Sequence, residues 1–210
     1  MESSESESTM SQNTSHRSSF ELGRREAILQ AASEHVRHYG YQKTTVADIA
    51  KAIQLSPAYL YHFFDSKQAI GEAVCTLMLE DLIKNLANLL AQIDSPGECI
   101  IIIISNIAVA STNMFLEDRK MHDLMALSFR EKWASTEKYR SDLLKIVREV
   151  VIRGREIGEF ERKTPLDETC EAIHYTMEPF YDPILVQQNP LELPEEAVAV
   201  AKLVRRSLTL

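Results

Sequence analysis

The residues with the clearest chemical potential form one short run, Ser56-Pro57-Ala58-Tyr59-Leu60-Tyr61-His62-Phe63-Phe64. Hydroxyl, phenol and imidazole groups can hydrogen-bond phosphate oxygens, and small residues at a helix start let the backbone approach base edges. Ser56 is an N-cap type, and Pro57 suits the first helical position, where its missing N–H costs nothing. Leu60 with Phe63 or Phe64 turns inward and leaves Tyr59, Tyr61 and His62 on the other faces. Lys67 falls in the first turn of the following helix. A cation there opposes the helix dipole unless a phosphate joins it. Other groupings carry less chemistry. Glu171 and His174 have Glu-x-x-His spacing, but a di-iron bundle needs a second such pair and two more Glu, and the sequence holds no second pair. Glu34, His35 and His38 do not match the HExxH zinc motif. No GxSxG, P-loop or GxGxxG occurs, and Cys75, Cys99 and Cys170 have no motif around them. No metal, no cofactor and no enzymatic activity is expected.

Two short helices must position this run. Thr45 with Asp48 three residues on fits a capping box, and Val46, Ile49, Ala50 and Ile53 form the buried face of a helix over 45–53. A tight turn leads to the second helix, from Ser56 to about Phe64, which is helix-turn-helix spacing. Before them, Leu22 to Tyr39 places Ile28, Ala31, Ala32, His35, Val36 and Tyr39 on one face, and Gly40 can close it as a left-handed cap. After them, Ser66 starts a long stripe through Ile70, Val74, Leu77, Leu82, Leu86, Leu89, Leu90 and Ile93. Its roughly 27 residues make a rod of about 40 Å. The remainder reads as helices over 97–116, 118–130, 135–157, 166–187 and 194–209, with Pro179 and Pro183 expected to kink the fourth of these. The expected class is all-α, and no internal repeat is present.

On Ile28-Leu29-Gln30-Ala31-Ala32, Gly40-Tyr41, Thr44-Thr45-Val46-Ala47-Asp48-Ile49-Ala50, Leu55-Ser56, Leu60-Tyr61-His62-Phe63-Phe64 and Ser66-Lys67, the chain resembles the TetR/AcrR family of bacterial transcriptional regulators. The resemblance runs from about Arg25 to Leu79. It implies a homodimer with an N-terminal three-helix domain that docks its third helix in the major groove, and a C-terminal helical domain that binds an inducer and dimerises. It also implies phosphate contacts from Thr45, Ser56, Tyr61, His62 and Lys67, and base-facing positions at Pro57, Ala58 and Tyr59. There are departures. The family commonly has Gly where Gln54 stands, Lys or Arg where Pro57 stands, and a basic or polar residue where Asp65 stands. The last two changes remove positive charge from the DNA face.

Composition sharpens this reading. The chain has 210 residues, 45% hydrophobic and 26% charged, with six Gly and seven Pro. These values fit a helical globular protein and not a fibrous or turn-rich one. The net charge of −8 would discourage binding to DNA if it were spread evenly. It is not spread evenly. Residues 1–19, a Ser-rich segment expected to be a disordered tail, carry −2. Residues 20–67, the expected DNA-binding domain with its motif at about 45–64, hold six Lys/Arg and five Asp/Glu, net +1. Residues 68–210, the expected ligand-binding and dimerisation domain, hold −7. Few phosphate ion pairs and a shallow salt dependence follow. Three scattered Cys suit a reducing cytoplasm, the apolar run Ile100–Ile104 is short for a bilayer, and no signal peptide is apparent.

In the C-terminal half, Met and aromatic residues gather as an adaptable apolar pocket would need. The candidates are Met114, Met125, Phe129, Trp133, Tyr175, Met177 and Phe180, with Phe129 and Trp133 foremost because charged neighbours could open the site to water. Ala197, Val200, Ala201, Val204 and Leu208 recur at helical steps suited to close packing and are the expected dimer face. The expectation is a bacterial cytoplasmic repressor. It binds double-stranded operator DNA as a homodimer, has no membrane partner and is released by a small apolar or amphipathic inducer. The alternative is a helical dimeric module that binds a small molecule or protein without specific DNA binding.

Overall fold

The computed structural model describes the backbone of residues 5–209 and the side chains of residues 21–209. Among the described residues the regular structure is helical, with a lone bridge between Phe160 and Thr209, as the sequence pattern implies. The helices fall into two compact units, Met1–Val74 and Cys75–Leu210. The division lies seven residues beyond the expected boundary at 67/68, within a helix and not between helices.

Unit one holds α1 (Glu5–Tyr39), α2 (Val46–Ala52), α3 (Pro57–Leu60) and the start of α4 (Lys67–Leu90). The backbone of α1 is already helical at Glu5, over residues assigned from composition to a disordered tail. No Pro or Gly before Gly23 stops a helix from propagating back along that stretch. Residues 1–4 lie outside the described residues. Ile28, Leu29, Ala31, Ala32 and Val36 of α1 join Thr44, Val46, Ile49, Ala50, Leu60, Phe64, Ile70 and Val74 as buried side chains of the unit. Tyr39 does not join them: it is 52% exposed, because the stripe has rotated off the core by the last turn. Gly40 closes α1 at φ +86, donating its N–H to the Val36 carbonyl at 2.8 Å.

Unit two holds the rest of α4 and α5 (Pro96–Glu117), α6 (Arg119–Arg130), α7 (Ala134–Glu156), α8 (Leu166–Tyr181), α9 (Pro183–Val186) and α10 (Leu193–Leu208). By length and composition α5 could cross a membrane, beyond what the Ile100–Ile104 run suggests. It is a core helix instead. Its buried residues include Cys99, Ile100, Ile103, Ile104, Ile107 and Ala108, and it packs on α10 most extensively, then on α7 and α8. Ser95 caps it, accepting from the Glu98 N–H, and Glu159 Oε1 accepts from the Gly97 N–H at 2.8 Å and the Ser95 hydroxyl at 3.1 Å. After α7 the chain folds back at Phe160, whose ring lies so close to Gly154 that any Cβ there would overlap it.

The expected helix over 166–187 is two helices. Pro179 is carried inside α8, whereas Pro183 starts α9 at its first turn, with Asp182 capping by accepting from the Ile184 N–H at 2.8 Å. A capping carboxylate directly before a proline gives the chain a stable place to restart, so the break falls there and not at Pro179.

Candidate nucleic-acid interface and effector cavity

In unit one, side-chain caps fix two short helices around a strained turn. Thr45 Oγ accepts from the Asp48 N–H at 3.1 Å and donates to the Asp48 carboxylate at 2.6 Å, while the Thr45 N–H donates to the same carboxylate at 3.0 Å. These bonds from Thr45 hold the Asp48 pKa below its ordinary value. The turn after α2 places Gln54 at φ +57. That is the left-handed region, which costs a non-glycine residue about 1–2 kcal/mol. Ser56 then caps α3, accepting from the Tyr59 N–H at 3.2 Å, with Pro57 at the first helical position. Leu60 is fully buried and Phe64 nearly so, which seats the helix and turns Ser56, Pro57, Ala58, Tyr61 and His62 outward.

Two of the expected contact residues are less free than their neighbours. The half-buried Tyr59 ring packs edge-on to Phe63 (5.3 Å) and His62 (5.9 Å). The Lys67 ammonium donates to the Gln42 carbonyl at 3.3 Å and lies 4.5 Å from the centre of the Tyr41 ring, and partial burial lowers its pKa. Ser66 caps α4, accepting from the Ala69 N–H at 3.0 Å. An open groove of about 510 Å³, lined by His35, Tyr39, Lys43, Asp48 and Lys51, adds two lysines to the same unit. In the sequence Lys43 and Lys51 register only as charge; the fold places them on this groove.

In unit two, a small cavity of about 20 Å³ is lined by residues of five helices together with Pro183 and Val186 of α9. Leu79 and Leu82 come from α4, Ser111 and Met114 from α5, His122, Met125 and Phe129 from α6, Tyr139 from α7 and Tyr181 from α8. Of the expected ligand residues, Met114, Met125 and Phe129 line it and the other four do not. Trp133 is buried in the turn into α7, its indole N–H donating to Glu131 at 3.0 Å. Met177 and Phe180 are buried away from the cavity lining, and Tyr175 is 68% exposed. A helical pattern says that such residues are apolar and interior; it does not say which of several interfaces they fill.

The cavity also has polar members: Tyr139, one of the clustered aromatic residues of the C-terminal half, and His122 and Tyr181, which the Met and aromatic pattern did not single out. The Tyr139 and Tyr181 rings meet edge-on at 5.7 Å, and burial pushes the Tyr181 phenol up to about 12. Tyr181 lies 3.3 Å from His174 Nε2. Arg140, whose guanidinium is 5.7 Å from the Phe129 ring, pairs with Glu178 at 3.1 Å and so ties α7 to α8. His122 is 2% exposed, a lone histidine in the buried register of α6. That register was the signal that could have found it.

The expected dimer face is placed inward. Ala197, Ala201, Val204 and Leu208 are buried, and Val200 is half-buried, where α10 packs on α5 and α8. Small residues at helical steps allow close packing against any helix, and here the partner is in the same chain. The exposed side of α10 carries Ala199 and Leu203, the latter 65% exposed, and that of α8 carries Ala172, Tyr175 and Pro179.

Comparison with known proteins agrees with this architecture. Residues 28–74 match the family model for bacterial regulatory proteins of the tetR family, and residues 96–200 match that for tetracyclin repressor-like C-terminal domains. The chain is 32% identical over 75 residues to the HTH-type transcriptional regulator BetI of Agrobacterium fabrum, a match covering 36% of each chain. The match thus spans about a third of that curated relative. Among solved structures, a TetR transcription regulator from Haloarcula marismortui superposes with a TM-score of 0.69 at 16% identity, covering 90% of this chain and all of that one. The regulator FadR from Bacillus subtilis in complex with stearoyl-CoA superposes with a TM-score of 0.65 at 17% identity, covering 87% of this chain and 98% of that one. At these identities the likeness shows the fold.

Proposed function

The chain belongs to the tetR family of bacterial regulatory proteins, and from that premise we propose that it is a ligand-responsive repressor, binding a near-palindromic operator as a homodimer in the bacterial cytoplasm. The observation that carries the DNA-binding part is α3: a helix seated by buried Leu60 and fixed by the Ser56 cap, with Pro57, Ala58, Tyr61 and His62 outward and no core role. In this reading Thr45, Ser56, Tyr61, His62 and Lys67 hold phosphates, while Pro57, Ala58 and part of Tyr59 face bases. Half-sites then lie about 34–36 Å apart or a multiple of that. Lys67 exchanges the Gln42 carbonyl for a phosphate when DNA arrives.

The dimer forms on the exposed side of α8 and α10, through Ala172, Tyr175, Pro179, Ala199 and Leu203. The inducer is a small apolar or amphipathic molecule in the cavity of unit two. Coupling runs through α4, which carries Lys67 at its first residue and Leu79 and Leu82 in the cavity lining. The inducer acts only to the extent that it prefers the released state. Moving a 1:99 mixture to 99:1 takes about 5.5 kcal/mol of preference.

The test is an operator gel-shift over a salt series with Lys67→Ala. Weaker binding to every operator sequence, with a salt slope smaller by about 1, supports the phosphate role; unchanged affinity contradicts it. Footprinting on DNA flanking the protein's own gene separates the repressor from a dimeric binding module without DNA specificity, since only the former protects a palindrome.

A further inference from the structure

His122 is fastened on one side only. Its Nε2 lies 3.1 Å from the Pro183 carbonyl, an acceptor, so this nitrogen carries the proton and donates. In the neutral ring Nδ1 is then a bare acceptor, and it is buried without a hydrogen-bond partner. The nearest carboxylate oxygen, Asp123 Oδ1 at 3.9 Å, is an acceptor too and is held by Arg119 Nε at 3.3 Å. Burial, reinforced by Arg119, lowers the His122 pKa and keeps the ring neutral near pH 7. An orphaned buried acceptor is costly, and a donor brought to it recovers that cost.

The other lining groups narrow what that donor belongs to. Among the described residues no Lys, Arg, Asp or Glu lines the cavity, and its other polar groups are Ser111, Tyr139 and Tyr181. Arg140, beside the Phe129 ring, is already committed to Glu178 and Asp182, so a carboxylate or phosphate placed here would be desolvated beside two other carboxylates and would face a lone pair. The cavity of about 20 Å³ suits one water molecule. Met114 and Met125 are its unbranched, flexible walls, able to yield to something larger. We propose that the effector is an uncharged, largely apolar molecule bearing a hydroxyl, and that this hydroxyl donates to His122 Nδ1. The proposal rests on the reading of this cavity as the effector site.

The full-length protein is titrated with four matched probes: 4-propylphenol, 4-propylanisole, propylbenzene and 4-propylbenzoate. The expected result is that the phenol binds about tenfold more tightly than its methyl ether. The preference disappears in His122→Phe, which still takes propylbenzene. In the unsubstituted protein the ¹⁵N resonance of His122 Nδ1 moves with the phenol and not with the ether, a reading that needs no variant to fold. Equal binding of phenol and ether, a preference that survives His122→Phe, or tightest binding of the benzoate overturns the proposal while leaving the cavity as the effector site. Binding of none of the four overturns the effector-site reading itself and this inference with it.

Discussion

Tyr61, the residue that follows α3, is 52% exposed beside Leu60, which is fully buried; Met125 and Phe129, at 2% and 8%, are both cavity wall and core. The side chains assigned to DNA therefore stand outside the packing of unit one. Met125, Phe129 and Tyr139 of the cavity wall are also packing of unit two. Function on the first surface can change without disturbing the fold, whereas function in the second is written in the same atoms that stabilise it. Lys67 and Tyr59 lie between these extremes, since both are tethered to their own unit.

Substitutions can break or sharpen this contrast, beginning with the largest effect. Phe129→Ala removes a buried ring and leaves a void. It is expected to destabilise unit two by about 3–5 kcal/mol in urea denaturation; a loss near zero would mean that the cavity wall is not core. Gly154→Ala places a methyl into the Phe160 ring and is expected to cost about 1–3 kcal/mol, read in the same experiment.

A pH scan gives the next effect. Burial, with Arg119 and Arg140 as respective neighbours, lowers the pKa of His122 and His174. The unfolded chain then takes up these protons first, so stability is complete above the ordinary histidine value of about 6.5 and declines as pH falls below it. The thermal midpoint of unit two is expected to drop between pH 7.5 and pH 5.5, and by less in His122→Phe. Gln54→Gly should leave the helix-turn-helix in place and add at most about 1 kcal/mol, because relief of the left-handed strain is offset by the extra freedom of glycine in the unfolded chain. Tyr61→Ala with His62→Ala should change stability least, within about 0.5 kcal/mol, and show its effect in DNA binding alone.

The same contrast explains what was legible in the sequence. Caps are local: Thr45 with Asp48, Ser56 before Pro57, and Gly40 after α1 need only their own neighbours, and the structure has all three. The departure at Gln54 was equally local, and the left-handed site it stands in is present. Tyr39 was misplaced because a stripe drawn at fixed helical steps ignores where the core ends. Ala197, Val200, Ala201, Val204 and Leu208 pack within their own chain; spacing shows that a face packs closely and says nothing about which helix it meets. The cavity was legible in part: Met114, Met125, Phe129 and Tyr139 follow from the Met and aromatic cluster, while His122 and Tyr181 gain meaning only once five helices and α9 bring them together.

The central claim is that α3 reads an operator. Its most direct measurement is footprinting of the DNA flanking the protein's own gene, with the unsubstituted chain and with Tyr61→Ala/His62→Ala at matched folded concentration. The account predicts a protected near-palindrome with the former and its loss with the latter. No protected palindrome, or equal protection by both proteins, would contradict it.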